Sequence, residues 1–159
     1  MALGGRSDAA HPEVRLAGPT MSDAQFHTRH DEFRAWTGEL RSAARRMPEL
    51  EPAERFALLA DLVAFLQEKV EPHTRVDEQV LYPRAAARMG SPLATAAMAY
   101  DHLAIRAWIA KLAEADEQDV ETIQELLYGL DALIRVHLWK EDELMLNPLD
   151  SSTWPASGA

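Results

Sequence analysis

The sequence of 159 residues contains no cysteine, which excludes several kinds of chemistry at once. Disulfide bridges, thiolate nucleophiles, iron–sulfur clusters and thiolate zinc sites all require cysteine. Any metal that the chain binds must therefore be held by histidine, aspartate and glutamate. The length fits a single domain, which is large enough to build a hydrophobic core without disulfides.

Basic residues are also scarce, with 16 Lys and Arg against 26 Asp and Glu and a net charge of −10 when the histidines are neutral. Because no basic cluster marks a phosphate-binding surface, we expect neither nucleic acid nor an anionic membrane as a partner. No apolar run approaches the roughly 20 residues of a membrane span, and the N-terminal stretch lacks the apolar core of a signal peptide. We therefore expect a cytoplasmic protein.

No stretch alternates β-branched and polar residues for long enough to predict a strand, and the apolar residues recur with helical spacing. This pattern predicts an all-α fold, an antiparallel up-down four-helix bundle over residues 21–149. Residues 1–20, rich in glycine and proline, predict a flexible N-terminal extension, and residues 150–159 a flexible C-terminal tail. The four helices are predicted to begin near Ser22, Pro52, Ser91 and Asp119.

Local signals set the predicted helix boundaries. Ser22 and Gln25 have the spacing of a capping box at the start of the first helix. Pro72 lies inside the second helix and predicts a kink. Ser91 is predicted as the N-cap of the third helix, with Pro92 in its first turn. The second helix is expected to close after a short continuation beyond Pro83, at a glycine.

Each predicted helix carries one histidine on its apolar stripe. A single histidine in such a stripe is more often a hydrogen-bonded core residue than a metal ligand. Four of them, one on each helix, indicate a metal centre, because burying several polar groups without partners costs a few kcal/mol per group. These histidines are His30, His73, His102 and His137.

Two of these histidines are followed four residues later by a carboxylate, Asp77 after His73 and Glu141 after His137. Residues four apart project from the same face of a helix, so each pair offers one nitrogen and one oxygen to a common point. Glu78 is the alternative in the second helix. At about 100° per residue, Asp77 lies about 40° around the helix from His73 and Glu78 about 140°, which favours Asp77.

The remaining polar and aromatic residues near these positions receive weaker assignments. His27, one turn before His30, is interpreted as a surface histidine, with a role as an alternative ligand left open. Asp142 and Glu143 are interpreted as a solvated acidic patch. Five aromatic residues are interpreted mainly as packing, with a role as redox-active neighbours of the centre left open: Trp36, Tyr82, Tyr100, Trp108 and Trp139.

Four segments resemble the hemerythrin-like, HHE cation-binding domains. They are RHDEFR around His30, PHTRVDEQVLYP with His73 and Asp77, YDHLAIRAWI around His102, and HLWKEDELMLNP with His137 and Glu141. The resemblance implies a four-helix bundle that holds two non-heme iron ions, bridged by two carboxylates and an oxo or hydroxo group. It also implies a small ligand such as O₂, NO or H₂O₂.

The chain departs from the family at two points. The family usually has Glu where this chain has Asp77, and oxygen-carrying members have a further histidine on the third helix. Four residues either side of His102 this chain has Met98 and Arg106. A missing nitrogen ligand leaves a coordination position free, which favours sensing or redox chemistry over reversible oxygen carriage.

The sequence therefore predicts a diiron protein that binds a small ligand for sensing, storage or delivery. The alternative is a diiron redox enzyme that reduces peroxide or activates O₂ on a small substrate, and no catalytic residue is assigned. Manganese and zinc are weaker alternatives to iron; zinc prefers four-coordinate sites. A ferritin-like site is disfavoured because no histidine follows a glutamate by three residues.

Overall fold

The computed structural model of the chain describes residues 21–147. The two predicted terminal segments lie outside the described residues. Within the described part there is no strand, so the all-α prediction is confirmed. The helices are α1 (Asp23–Arg46), α2 (Pro52–Val76), α3 (Tyr82–Met89), α4 (Ala96–Ala113) and α5 (Val120–Glu141), with a 3₁₀ turn at Met47–Glu49 and π-helical turns at Asp77–Leu81 and Asp142–Leu146.

Because α2, the first π-helical turn and α3 follow one another without a break, the helices form four rods. The rod of α1 and the rod of α5 run antiparallel, since His30 contacts Asp142 while Arg41, further along α1, contacts Asp131, earlier in α5. α5 also packs on α4, and α4 packs on α2. The structure is a helical bundle, as predicted.

The ends of the helices follow the sequence signals in most places. Ser22 caps α1 and forms the predicted capping box with Gln25. Asp119 caps α5 by accepting a hydrogen bond from the backbone N–H of Thr122 at 3.1 Å. Gly90 closes α3 in the left-handed conformation, with φ of 68°, which glycine adopts without steric cost.

The predicted start of the third helix is wrong. Ser91 and Pro92 belong to a turn, and α4 begins only at Ala96. The hydroxyl of Ser91 accepts a hydrogen bond from the backbone N–H of Leu93 at 3.2 Å, so it stabilises the turn instead of capping the helix. Serine followed by proline fits a turn as well as a helix start, because both conformations use the same local hydrogen bond.

The irregular part of the second rod is the π-helical turn Asp77–Leu81. α-Helical geometry continues through Pro72 as far as Val76, and the N–H of Tyr82 then donates to the carbonyl of Asp77, five residues earlier. The change in helical geometry thus begins at the carboxylate that follows His73. The kink predicted at Pro72 stays a prediction.

Two apolar clusters fill the bundle, one on each side of a polar layer. The four histidines of the sequence analysis lie between these clusters on each rod; His30, for example, lies between Phe26 of the smaller cluster and Phe33 of the larger. The smaller cluster consists of Phe26, Leu81, Tyr82, Ala85, Met98, Met145 and Leu146.

Close packing of α4 on α5 leads to a first prediction. Gly129 faces the ring of Trp108, and a methyl group added at Gly129 would overlap that ring. Gly129→Ala should therefore lower the free energy of unfolding by about 1–3 kcal/mol, despite the better helix propensity of alanine. Thermal or urea unfolding measures the change.

Gly38→Ala is the matched control, since Gly38 lies inside α1 with no atom near the added methyl group. This variant should gain about 0.5–1 kcal/mol. A stabilised Gly129→Ala variant would show that α4 and α5 do not approach as closely as described.

Candidate metal centre

The four histidine side chains and two carboxylates singled out by the sequence lie together in the polar layer. Each is nearly inaccessible to solvent, with at most 4% of its surface exposed. Helical phase explains the placement, because each of these residues continues the apolar stripe of its own rod. The six are His30, His73, Asp77, His102, His137 and Glu141.

The first group of four donors consists of His30, His73, Asp77 and Glu141, with ligand atoms within 4.8 Å of one another. The Nε2 atom of His30 lies 3.4 Å from Oε2 of Glu141. The Nε2 atom of His73 lies 3.2 Å from Oδ2 of Asp77. Such spacing between nitrogen and oxygen atoms suits a single cation between them.

The second group consists of Asp77, His102, His137 and Glu141, also within 4.8 Å. The Nε2 atoms of His102 and His137 are 2.9 Å apart, and Nε2 of His137 is 3.3 Å from Oε1 of Glu141. Two ligands at right angles on metal bonds of about 2.1 Å lie about 3 Å apart, so the pair of imidazoles has the separation of neighbouring ligands.

Both carboxylates belong to both groups. Glu141 directs Oε2 toward His30 and Oε1 toward His137. Glu78, the alternative to Asp77, lies outside both groups, and its Oε1 is 2.8 Å from the Nδ1 atom of His102. The structure therefore brings Asp77, and not Glu78, between the two pairs of histidines.

Three of the four histidines have a carboxylate within hydrogen-bond distance of Nδ1, the ring nitrogen that faces away from the other donors. Nδ1 of His30 lies 2.7 Å from Asp142, Nδ1 of His102 lies 2.8 Å from Glu78, and Nδ1 of His137 lies 3.2 Å from Asp101. A histidine that donates Nδ1–H to a carboxylate presents the Nε2 lone pair to a metal. His73 is instead held by stacking on Phe33, with ring centroids 4.4 Å apart.

The interpretation of Asp142 as part of a solvated acidic patch is wrong. Asp142 is buried, accepts the hydrogen bond from His30 and pairs with Arg34. Asp142 lies one helical turn after Leu138, which is fully buried, so the α-helical phase of α5 already turns it toward the core. Glu143 is exposed as expected.

His27 lies outside both groups of donors. Its side chain is 40% exposed, and its Nδ1 atom is 3.2 Å from Asp142, the residue that also holds His30. This position agrees with the interpretation of His27 as a surface histidine.

Burial determines the protonation of the centre. Loss of hydration lowers the pKa of His30 to about 4 and that of His73 to about 3, and burial also lowers the pKa of His102. These rings are therefore neutral near pH 7, in the form that binds metals. Burial, and then the neighbouring charge of Glu141, raises the pKa of Asp77 well above its usual value.

Four buried polar atoms in the first group have no hydrogen-bond partner among the described residues. Leaving such an atom unsatisfied costs about 1–3 kcal/mol, and more when it carries charge. A cation would satisfy all four at once, so the residues present fit a bound metal. The atoms are Nε2 of His30, Nε2 of His73, Oδ2 of Asp77 and Oε2 of Glu141.

Tyr82 both packs in the smaller apolar cluster and contacts the donors, so packing is only part of its role. Its hydroxyl donates to Oε1 of Glu141 at 2.7 Å and lies 3.0 Å from Nε2 of His102. In a π-helical turn, residues five apart lie about one turn apart, which places Tyr82 on the same side as Asp77. Burial and the charge of Glu141 raise the pKa of Tyr82, so the phenol stays protonated.

A surface cleft of about 380 Å³ lies between α1 and α2. Phe33, Trp36, Pro72 and His73 line it, and His73 is the one residue of the six donors that does so. The cleft therefore lies beside the first group. Four charged residues also border the cleft: Arg29, Glu32, Glu68 and Lys69.

Comparison with known families agrees with this geometry. A family model described as the hemerythrin HHE cation binding domain matches residues 21–149. The chain belongs to the hemerythrin HHE family. Neither a curated protein nor a solved structure matches the chain significantly. Cation binding is thus the family property, and this HHE domain has two groups of buried donors for it.

Met98 and Arg106 lie four residues before and after His102, where oxygen-carrying relatives would have a second histidine on this helix. Both residues have other roles in this HHE domain. Met98 packs in the smaller apolar cluster. Arg106 extends outside the centre, where it donates hydrogen bonds to Glu71 at 2.9 Å and Thr74 at 2.7 Å.

None of the helices described between residues 21 and 147 has the length and apolar character of a membrane span.

The contact between Asp142 and His30 leads to a second prediction. Asp142→Ala should weaken metal binding by about 10–100-fold, because the partner of a metal-binding histidine fixes its orientation and its tautomer. Anaerobic equilibrium dialysis with Fe²⁺, and separately with Zn²⁺, measures the affinity.

Glu143→Ala is the matched control, since the neighbouring Glu143 is exposed. It should bind metal as the unaltered chain does. Equal affinities for the two variants would mean that Asp142 does not support the centre.

Proposed function

We propose that this HHE domain is a non-heme diiron protein. His30 and His73 would hold one iron ion, His102 and His137 the other, and Asp77 and Glu141 would bridge the two. The observation that carries this proposal is that both carboxylates belong to both groups of donors. Two separate mononuclear sites would need no shared ligands.

The donor set supports iron. It contains imidazole and carboxylate groups only, which suit iron or manganese better than metals that prefer soft ligands. Each group supplies four protein donors, so a six-coordinate ion keeps open positions, whereas zinc is commonly saturated by four. Iron would supply the centre with open coordination positions and a change of oxidation state.

The ligand that we propose is a small molecule such as O₂, NO or H₂O₂, bound for sensing, storage or delivery. The burial of the donors excludes large substrates from the centre. The cleft over His73 admits a molecule of a few atoms. The stacking of His73 on Phe33 keeps an apolar wall beside this cleft and limits access of bulk water.

A redox enzyme is the second candidate, and Tyr82 favours it. A peroxide-reducing or O₂-activating centre needs a proton donor close to the reacting atoms. The Tyr82 hydroxyl lies within hydrogen-bond distance of both Glu141 and His102 and stays protonated. This phenol would deliver the proton in the enzyme and would only hold Glu141 in a binding protein.

The metal content gives the third prediction. The purified chain should bind about two iron ions, and His73→Ala and His137→Ala should each reduce this to one or fewer, because a lost ligand leaves buried charges uncompensated. Elemental analysis measures the content. His27→Ala is the control and should keep two ions, because His27 lies outside both groups.

Fewer than one iron ion per chain, or zinc without iron, would rule out the diiron proposal. Unchanged iron content in both His73→Ala and His137→Ala would instead show that the ligands are assigned wrongly.

The fourth prediction separates the two candidate functions. After anaerobic reduction and re-exposure to O₂, a binding protein should give an absorption change that reverses when O₂ is removed. A redox enzyme should oxidise irreversibly and consume added H₂O₂ over many turnovers. Tyr82→Phe should slow peroxide consumption by about 10²–10⁴-fold if the phenol is the proton donor, and leave reversible binding in place otherwise. Tyr100→Phe, an exposed tyrosine, is the control.

A further inference from the structure

We propose that the two metal positions load unequally, with the first ion binding at His30 and His73 and the second, more weakly, at His102 and His137. This inference rests on the proposed diiron function and concerns how the centre assembles. It follows from a difference in hydrogen bonding between the two groups of donors.

The first position has unsatisfied donors. Of the five buried side-chain atoms without a hydrogen-bond partner in the described part of the chain, three face this position: Nε2 of His30, Nε2 of His73 and Oε2 of Glu141. A fourth, Oδ2 of Asp77, lies 3.2 Å from Nε2 of His73 and 3.9 Å from Nε2 of His102. His30 Nδ1–H bonds Asp142, which turns its Nε2 lone pair inward. An ion that binds here replaces no hydrogen bond within the site, so its full coordination energy favours binding.

The second position has donors that already bond one another. Tyr82 donates its hydroxyl to Oε1 of Glu141 at 2.7 Å. His102 Nδ1 lies 2.8 Å from the Glu78 carboxylate, so Nδ1 carries the proton and Nε2 of His102 is an acceptor. The Nε2 atom of His137 lies 2.9 Å from this atom.

Binding of an ion at the second position must therefore rearrange the hydrogen bond that Tyr82 makes. The Nδ1 atom of His137 lies 3.2 Å from the Asp101 carboxylate, so the imidazole itself is already held with Nε2 toward the centre. The Tyr82 hydroxyl must release Oε1 of Glu141 or share it with the ion.

The expected effect is at least tenfold weaker binding of the second ion, since one net hydrogen bond corresponds to roughly a factor of ten in an equilibrium constant. Repulsion between the two ions would also weaken the second step. That repulsion would act equally on both positions and would not depend on Tyr82, so variants separate the two causes.

The test is an anaerobic titration of the metal-free full chain with Fe²⁺, followed by calorimetry and by elemental analysis after dialysis. We expect two steps that differ at least tenfold in Kd. His102→Ala should keep one tightly bound ion, and His73→Ala should lose the tight step. Tyr82→Phe should strengthen the second step about 3–10-fold and leave the first unchanged, with Tyr100→Phe as the control.

Circular dichroism identifies any variant that does not fold. If the histidine variants do not fold, the titrations of the unaltered chain and of the conservative Tyr82→Phe variant are enough to test unequal loading. Two equally tight ions, or a second step that Tyr82→Phe leaves unchanged, would overturn unequal loading and leave the diiron proposal in place. A tight ion retained in His73→Ala and lost in His102→Ala would reverse the assigned order and overturn the inference. No bound iron at all would overturn the diiron proposal itself.

Discussion

The burial of four imidazoles and two carboxylates in one layer is the constraint on which this bundle depends. Water is excluded on both sides by apolar clusters, so these side chains can be satisfied only by one another, by a ring of outer carboxylates or by a cation. Burial, and then repulsion by the Glu141 carboxylate, raises the pKa of Asp77, so two negative charges side by side are disfavoured here. A positive charge between them relieves the repulsion.

Much of the centre was predictable because helical phase alone selects it. A polar residue that continues the apolar stripe of a helix is buried with that stripe. Four-residue spacing also puts the histidine and the carboxylate of each pair on one face, as in His73 with Asp77 and His137 with Glu141. The same argument favoured Asp77 over Glu78, and the structure brings Asp77 into both groups. The helical bundle and most of the helix caps follow from equally local signals.

The features that the sequence does not predict have separate causes. A π-helical turn precedes Tyr82 and brings it to Glu141, and no residue pattern announces this geometry. Asp142 lies one helical turn after the buried Leu138, but its burial depends on partners from another helix, His30 and Arg34, which its own segment does not reveal. Ser91 was misassigned because a serine hydroxyl bonds a turn N–H as readily as a helix N–H.

The π-helical turns also relate the fold to the proposed chemistry. One begins at Asp77 and the other directly after Glu141, the two carboxylates that both groups of donors share. Tyr82 directly follows the first turn and Asp142 begins the second, and both contact donors of the centre. One side of the centre receives Tyr82 and its hydrogen bonds, and on the other side His73 lines the surface cleft. Such inequivalent sides would suit a centre in which one ion meets the incoming ligand and the other stays enclosed.

The most direct test of the central claim is anomalous X-ray diffraction at the iron edge from crystals of the iron-loaded chain. The account predicts two iron peaks in the polar layer, each within bonding distance of both the Asp77 and the Glu141 carboxylates. One peak lies beside His30 and His73, and the other beside His102 and His137. A single peak at full loading, or iron bound away from these carboxylates, would contradict it.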